Sequence, residues 1–198
     1  EGDRRPGAGE REVNIRLRRL TRDYEKVCAE LAGSEVVRVE AVAGNPPNSY
    51  RVTYRVDGLM WDPDLLDARP IHEHVVDIYL PLGHPKKQPN CTMRTPVWHP
   101  NIGDYVCIGD YWSAGVTLVD IIAHIGDMLQ YKSYNLRSPV NKPAAAWAST
   151  RTKSFPVGAK DVLPPVKEND AGGTSGAVEV ARFKDDLDIQ LGPVRERV

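Results

Sequence analysis

Five prolines fall within twenty residues, at Pro81, Pro85, Pro89, Pro96 and Pro100, and no other feature restricts the fold of this chain as much. Proline fixes φ, removes a backbone donor and biases the residue before it away from helix. Residues 81–110 therefore read as irregular chain, with room for one short strand at Asn90–Met93. Regular structure has to come from either side. On the N-terminal side, Leu17, Leu20, Tyr24, Val27, Cys28 and Leu31 recur at helical spacing, and Gly33 ends the run. Residues 36–40 then read as a strand, followed by a turn over residues 44–48. Tyr50, Val52, Tyr54 and Val56 alternate with Arg51, Thr53 and Arg55, the period of a half-buried strand. A loop containing Trp61, Asp62, Pro63 and Asp64 leads to a third strand over residues 74–80. On the C-terminal side, Thr117 and Asp120 resemble a capping box, and Leu118, Ile121, Ile122, Ile125, Met128 and Leu129 supply the buried stripe of a second helix. The order predicts an α+β fold: an N-terminal helix, a four-stranded antiparallel meander, an irregular active loop, a central helix and little helix after it.

Composition narrows the function. Lysine and arginine number 26 against 27 aspartates and glutamates, a formal net charge of −1, so no global field draws the chain to nucleic acid or to an anionic membrane. No apolar run approaches the roughly 18 residues that span a bilayer, and none sits where a signal peptide would. The three cysteines, Cys28, Cys91 and Cys107, are too few and too scattered for a disulfide framework or a C-x-x-C knuckle. The expectation is a soluble, cytoplasmic protein with reduced thiols and with neither nucleic acid nor membrane among its partners. His72 and His74 form a candidate metal pair, but no third ligand follows at a recognised spacing, so no metal or cofactor is expected. The chain is divided into a flexible lead (residues 1–12), a folded domain (13–150) and a tail (151–198). The tail carries linker signals at Pro164-Pro165 and 172–176, and a candidate docking strand over 177–191.

The densest chemistry lies between His99 and Ala114. Pro100 and Gly103 enforce a turn in which the Asn101 amide is aimed at a fixed point. Cys107 follows six residues later on a segment without helical or strand period, whereas Cys28 and Cys91 fall where core residues are expected. Cys107 is therefore the thiol with a claim to chemistry, although a lone cysteine reads about equally well as structural.

The same stretch resembles the ubiquitin-conjugating enzyme family. The resemblance is carried by Ile78-Tyr79-Leu80-Pro81, His84-Pro85, Lys87, Pro89, Thr95, and the His99-Pro100-Asn101-Ile102 motif ahead of Cys107. It is carried further by Trp112-Ser113, the helix that follows, and Ser138-Pro139-Val140-Asn141. It covers roughly residues 13–148. It implies that Cys107 carries ubiquitin or a ubiquitin-like protein as a thioester, received from an activating enzyme and passed to an amine. Asn101 would donate to the tetrahedral oxyanion, or tie down its own turn, or both. Ser138 would position the incoming amine, with an ordinary turn serine as the equal alternative. His99, Pro100, Trp112 and Asn141 would support the site. The first helix, with Arg16, Arg18, Arg19, Arg22 and Lys26 against Asp23 and Glu25, would present Arg16, Arg19 and Arg22 to the activating enzyme; a solvated basic face is the plainer reading.

Several residues depart from the family pattern. The gap from Asn101 to Cys107 is about two residues short, Lys86 and Ala114 alter the surface used by ring-type ligases, and closing helices are not recognisable after Trp147. A ligase is thus a further implied partner without a standard docking surface. The resemblance is nearest to the ubiquitin-conjugating-like proteins of bacterial operons, some of which serve antiviral defence. The alternatives are a non-catalytic module that binds a ubiquitin-like protein, and a cysteine hydrolase with a Cys107–His99 or Cys107–His124 dyad.

Overall fold

The computed structural model describes residues 8–163 and 190–191. Helix α1 (Ala8–Leu31) starts five residues before Val13, inside the segment read as a lead. Its buried side is Leu20, Asp23, Val27 and Leu31, so the helix is rotated from the purely apolar stripe. That rotation corrects the reading of Cys28 as a core residue: Cys28 is exposed, and Tyr24 lies on the same partly exposed flank. The cause is Asp23. Its carboxylate accepts from Arg19 Nε (2.8 Å), His84 Nε2 (3.2 Å) and the Leu118 N–H (3.2 Å) while only 1 % exposed. Burial pushes this carboxyl up. The His84 hydrogen bond, the Arg19 charge and the Leu118 N–H outweigh burial together and hold it below its ordinary value.

The main sheet holds β1 (Val37–Gly44), β2 (Pro47–Tyr54), β5 (His74–Tyr79) and β6 (Asn90–Met93), all antiparallel and in that order. The register pairs Val37 with Tyr54, Tyr50 with Ile78, and Ile78 with Cys91. Tyr50, Val52, Val76, Ile78 and Cys91 are buried together. This is the expected meander with one addition. Where a loop was read around Trp61, the chain forms a hairpin, β3 (Gly58–Asp62) and β4 (Asp67–Ile71), with Asp62 Oδ1 accepting the N–H groups of Asp64 and Leu65 at its turn. Helix α2 (Leu118–Leu129) is capped as its sequence predicts: Thr117 N donates to Asp120 Oδ2 at 2.8 Å, and Asp120 N to Thr117 Oγ1 at 3.4 Å. All six residues of its predicted stripe are buried.

After β7 (Ser133–Tyr134) and α3 (Lys142–Thr150) the chain does not leave the domain. Phe155 enters an aromatic cluster against Tyr131 (4.4 Å) and Tyr134 (5.3 Å), and Val162, 3 % exposed, joins the main core over Gly126. Lys160 Nζ donates to the Arg55 carbonyl at 2.9 Å. Residues 155–163 thus form a strap that covers α2 where little helix was expected. Gln190–Leu191 (β8) pairs with β7; the rest of the proposed docking strand, the linker residues and residues 1–7 lie outside the described residues. No helix among the described residues is long and apolar enough to cross a membrane.

Two consequences are measurable. A Cβ on Gly126 would stand 2.2 Å from Val162 Cγ2, so Gly126→Ala displaces the strap and costs about 1–3 kcal/mol in a urea titration; an unchanged midpoint would contradict the packing. His74, His99 and His124 are buried, and burial pulls them down to about 4, 3 and 4 from an unfolded value near 6.5. Depressed folded values mean that the unfolded chain takes up protons first as pH falls. Stability is therefore full above pH 6.5 and declines from there toward pH 4, seen as a lower urea midpoint at pH 5 than at pH 7.

Candidate active site

The turn after β6 begins with a neutral imidazole. His99 is fully buried; its Nε2 donates to the Ser133 carbonyl (3.2 Å), so Nδ1 is free to accept the Asn101 N–H (3.1 Å). Its ring meets Tyr131 edge-on at 4.7 Å. Pro100, next in line, accepts two N–H groups at its carbonyl, from Val140 and Asn141, both at 2.9 Å. These contacts lay residues 138–141 directly over the turn. Val140 packs against Gly103, where a Cβ would stand 3.0 Å from Val140 Cγ1.

Asn101 joins the parts. Its side chain is 5 % exposed; Oδ1 accepts the Asn135 N–H at 2.7 Å, and Nδ2 donates to the carbonyls of Asn135 (2.9 Å) and Ser138 (3.4 Å). Its backbone carbonyl accepts the Cys107 N–H at 2.9 Å. The residues between close into a narrow loop, with Ile102 bridged to Val106 and the Val106 N–H donating to the Cys91 carbonyl (2.9 Å). Cys107 is half-buried at the end of this loop. Cys91 is 2 % exposed in β6, and burial pushes its thiol up to about 12, which suppresses the thiolate.

The other anticipated residues divide into groups. Ser138 is exposed and takes part through its carbonyl, while Asn141 caps α3 by accepting the Ala144 N–H (3.1 Å). Trp112 belongs to the Asp23 cluster, with its ring 5.5 Å from that of His84. Arg19 is folded inward, bonded to Asp23 and to the carbonyls of Ala114 and Val116, and Arg16 reaches the carbonyls of Leu80 (3.2 Å) and Pro81 (3.3 Å). Arg22 is exposed and has no polar partner among the described residues. Lys86 pairs with Glu12 at 2.5 Å. His72 and His74 do not converge: His72 pairs with Asp57 at the surface (2.7 Å), and His74 is buried. Among the described residues no three His, Cys, Asp or Glu side chains are grouped to hold a metal. Sequence reasoning missed Asp23 and Asn135. Asp23 had a signal, since it stands at the helical spacing of Leu20, Val27 and Leu31; Asn135 had none.

His99 and Asn101 thus form a neutral, buried framework behind the loop that ends at the half-buried Cys107. Residues 72–162 match the ubiquitin-conjugating enzyme family. The match begins just before β5 and runs through Cys107, Asn101, Ser138 and the strap to Val162, a little under half of the chain. The ubiquitin-conjugating enzyme match therefore contains the whole candidate site and leaves α1 and β1–β4 outside it. No curated protein matches the chain.

Asn101→Ala strands the Asn135 N–H and two carbonyls, at a cost of about 1–3 kcal/mol for each group left buried. Amide exchange at Asn135 is expected to rise about tenfold or more while α2 stays protected. Asn101→Asp keeps the acceptor, but sets a carboxylate against two carbonyls, and is expected to loosen the same loop at least as much. Unchanged exchange in both variants would remove Asn101 from its linking role.

Proposed function

We propose that this chain is a ubiquitin-conjugating-type transferase that carries ubiquitin or a ubiquitin-like protein as a thioester on Cys107 and passes it to an amine. The observation that carries this reading is the Asn101 amide, which ties the Cys107 loop to residues 135–138 in the segment that matches the ubiquitin-conjugating enzyme family. In the first step the Cys107 thiolate attacks the carrier's C-terminal thioester on the activating enzyme. A new C–S bond forms, the old one breaks, and the activating enzyme's thiol leaves. In the second step a deprotonated amine attacks the Cys107 thioester, the amide C–N bond forms and the Cys107 thiolate departs.

Both steps build an oxyanion, and Asn101 is the proposed donor. Its Nδ2 hydrogens both point at carbonyls, the contact to Ser138 being the longer at 3.4 Å. A small shift of the 138–141 loop would free that N–H for the oxyanion while the Asn135 bonds persist. Tying the turn and stabilising charge are then successive duties of one amide. Ser138, exposed on the loop that moves, is proposed to position the amine. The inward Arg16 and Arg19 leave exposed Arg22 as the proposed α1 contact with the activating enzyme. The resemblance supports kinship with the bacterial operon proteins and, through it, a part in antiviral defence, and the sparse, scattered cysteines support a cytoplasmic location. A ligase partner, if used, would meet a surface altered at Lys86 and Ala114.

The test is a charging reaction with activating enzyme, ATP and a ubiquitin-like carrier, read on a non-reducing gel. A reductant-sensitive band is expected in the native protein and in Cys28→Ser, and none in Cys107→Ala. Asn101→Ala should still charge but discharge to a free amine about 100-fold more slowly, the usual loss for one oxyanion donor. A carrier that binds without ever forming the band would make the chain a binding module instead.

A further inference from the structure

Two neighbouring aromatic residues follow Cys107, and the chain sends them to different places. Trp112 lies against His84 with ring centroids 5.5 Å apart, on the side of the Asp23 cluster. Tyr111 turns instead to α2, where its ring stacks on that of His124 with centroids 3.9 Å apart and planes 6° from parallel. Its hydroxyl donates to the Asp120 carbonyl at 3.4 Å, one turn earlier on the same helix face. His124 is buried, and burial pulls it down to about 4, so the pair is two uncharged rings. A single turn joins this contact to the thiol-bearing residue. Ile108, next after Cys107, is buried, and its carbonyl accepts the Tyr111 N–H at 3.2 Å. Between them Gly109 reverses the chain at a φ of 56°, with nothing within 4 Å of the place a Cβ would take. No neighbour supports the turn at Gly109, so Ile108 and Tyr111 fix it. On the other side of the thiol, the Asn101 carbonyl holds the Cys107 N–H at 2.9 Å. Cys107 thus stands between two anchors, Asn101 before it and the turn closed by Tyr111 after it.

We propose that Tyr111 is a positioning residue for Cys107, acting through its stack on His124 to fix the turn that follows the thiol; the inference rests on the thioester reading above. Attack on the thioester requires its carbonyl to keep one orientation toward the Asn101 amide and the incoming amine, and small misplacements of a reacting centre are costly. The bond from Cys107 N–H to Asn101 fixes one end of the residue. A turn left free at the other end would let Cys107 pivot about that bond and spread the positions of Sγ. In this role Tyr111 touches neither carrier nor amine, and no bond forms or breaks at it. His124 acts as the platform for the Tyr111 ring and not as a base for the thiol.

The test charges the full chain with activating enzyme, ATP and a ubiquitin-like carrier, stops the charging, and follows discharge over a range of free-amine concentrations. Tyr111→Leu, which keeps apolar bulk without the ring, should discharge about tenfold more slowly at saturating amine, with the half-saturating concentration unchanged. Tyr111→Phe and His124→Phe each keep two stacked rings and should restore the rate to within twofold of the native chain. Amide exchange in α2 is expected to be equally slow in all four proteins, which separates positioning from folding. A native rate in Tyr111→Leu, a change confined to the half-saturating concentration, or a slower rate that comes with lost α2 protection overturns the positioning role and leaves the thioester reading standing. Slowing in His124→Phe equal to that in Tyr111→Leu also overturns it, and returns the imidazole to proton transfer at the thiol. Absence of any thioester on Cys107 of the native chain overturns both readings.

Discussion

The side-chain amide of Asn101 bridges positions 34 residues apart in the chain and does so out of water. An amide is suited to this place because it accepts and donates at once: one oxygen for the Asn135 N–H, two hydrogens for the carbonyls of Asn135 and Ser138. A carboxylate lacks the donors and an aliphatic side chain lacks both. His99 beneath it is kept neutral by burial, so the framework under Cys107 carries no charge that solvent pH would switch in the physiological range. Geometry there is held by hydrogen bonds from a side chain that is itself buried, and a buried polar group left without its bond costs more than a made one gains.

Asp23 does for the helices what Asn101 does for the loops. It draws α1, the His84 turn and the N-terminus of α2 to one carboxylate, and Arg19 extends the cluster to the chain between Trp112 and Thr117. Buried ion pairs contribute little net stability because desolvation offsets attraction, yet removing one partner is severe. The value of the cluster is therefore in specifying orientation. It sets the rotation of α1, and that rotation brings Cys28 to the surface.

Legibility followed the range of the interaction. Helix α2 was readable because its stripe and its capping box are local and agree with each other. The main strands were readable from strict alternation in residues 50–56. The hairpin over Gly58–Ile71 was not, since Pro63 and Pro70 interrupt the pattern that marks a strand; a two-stranded ribbon with a free edge tolerates them. The strap was invisible for a different reason, because Phe155 and Val162 anchor it singly and single residues have no period. At the site, the turn from His99 to Ile102 and the candidate thiol could be picked out. The partners of Asn101 are main-chain atoms of Asn135 and Ser138, and a backbone partner leaves no trace in residue identity.

The central claim, that Cys107 Sγ is the atom which bears the carrier, is tested most directly by changing the chemistry of that one bond. Replacing the thiol in Cys107→Ser turns the thioester into an oxygen ester, which withstands thiol reductants and yields to hydroxide. Intact mass and peptide mapping of this variant after charging should show the carrier on the peptide holding residue 107, resistant to reductant and released by base. A reductant-sensitive adduct persisting in Cys107→Ser, or one mapping to the peptide of Cys28 or Cys91, would contradict the account.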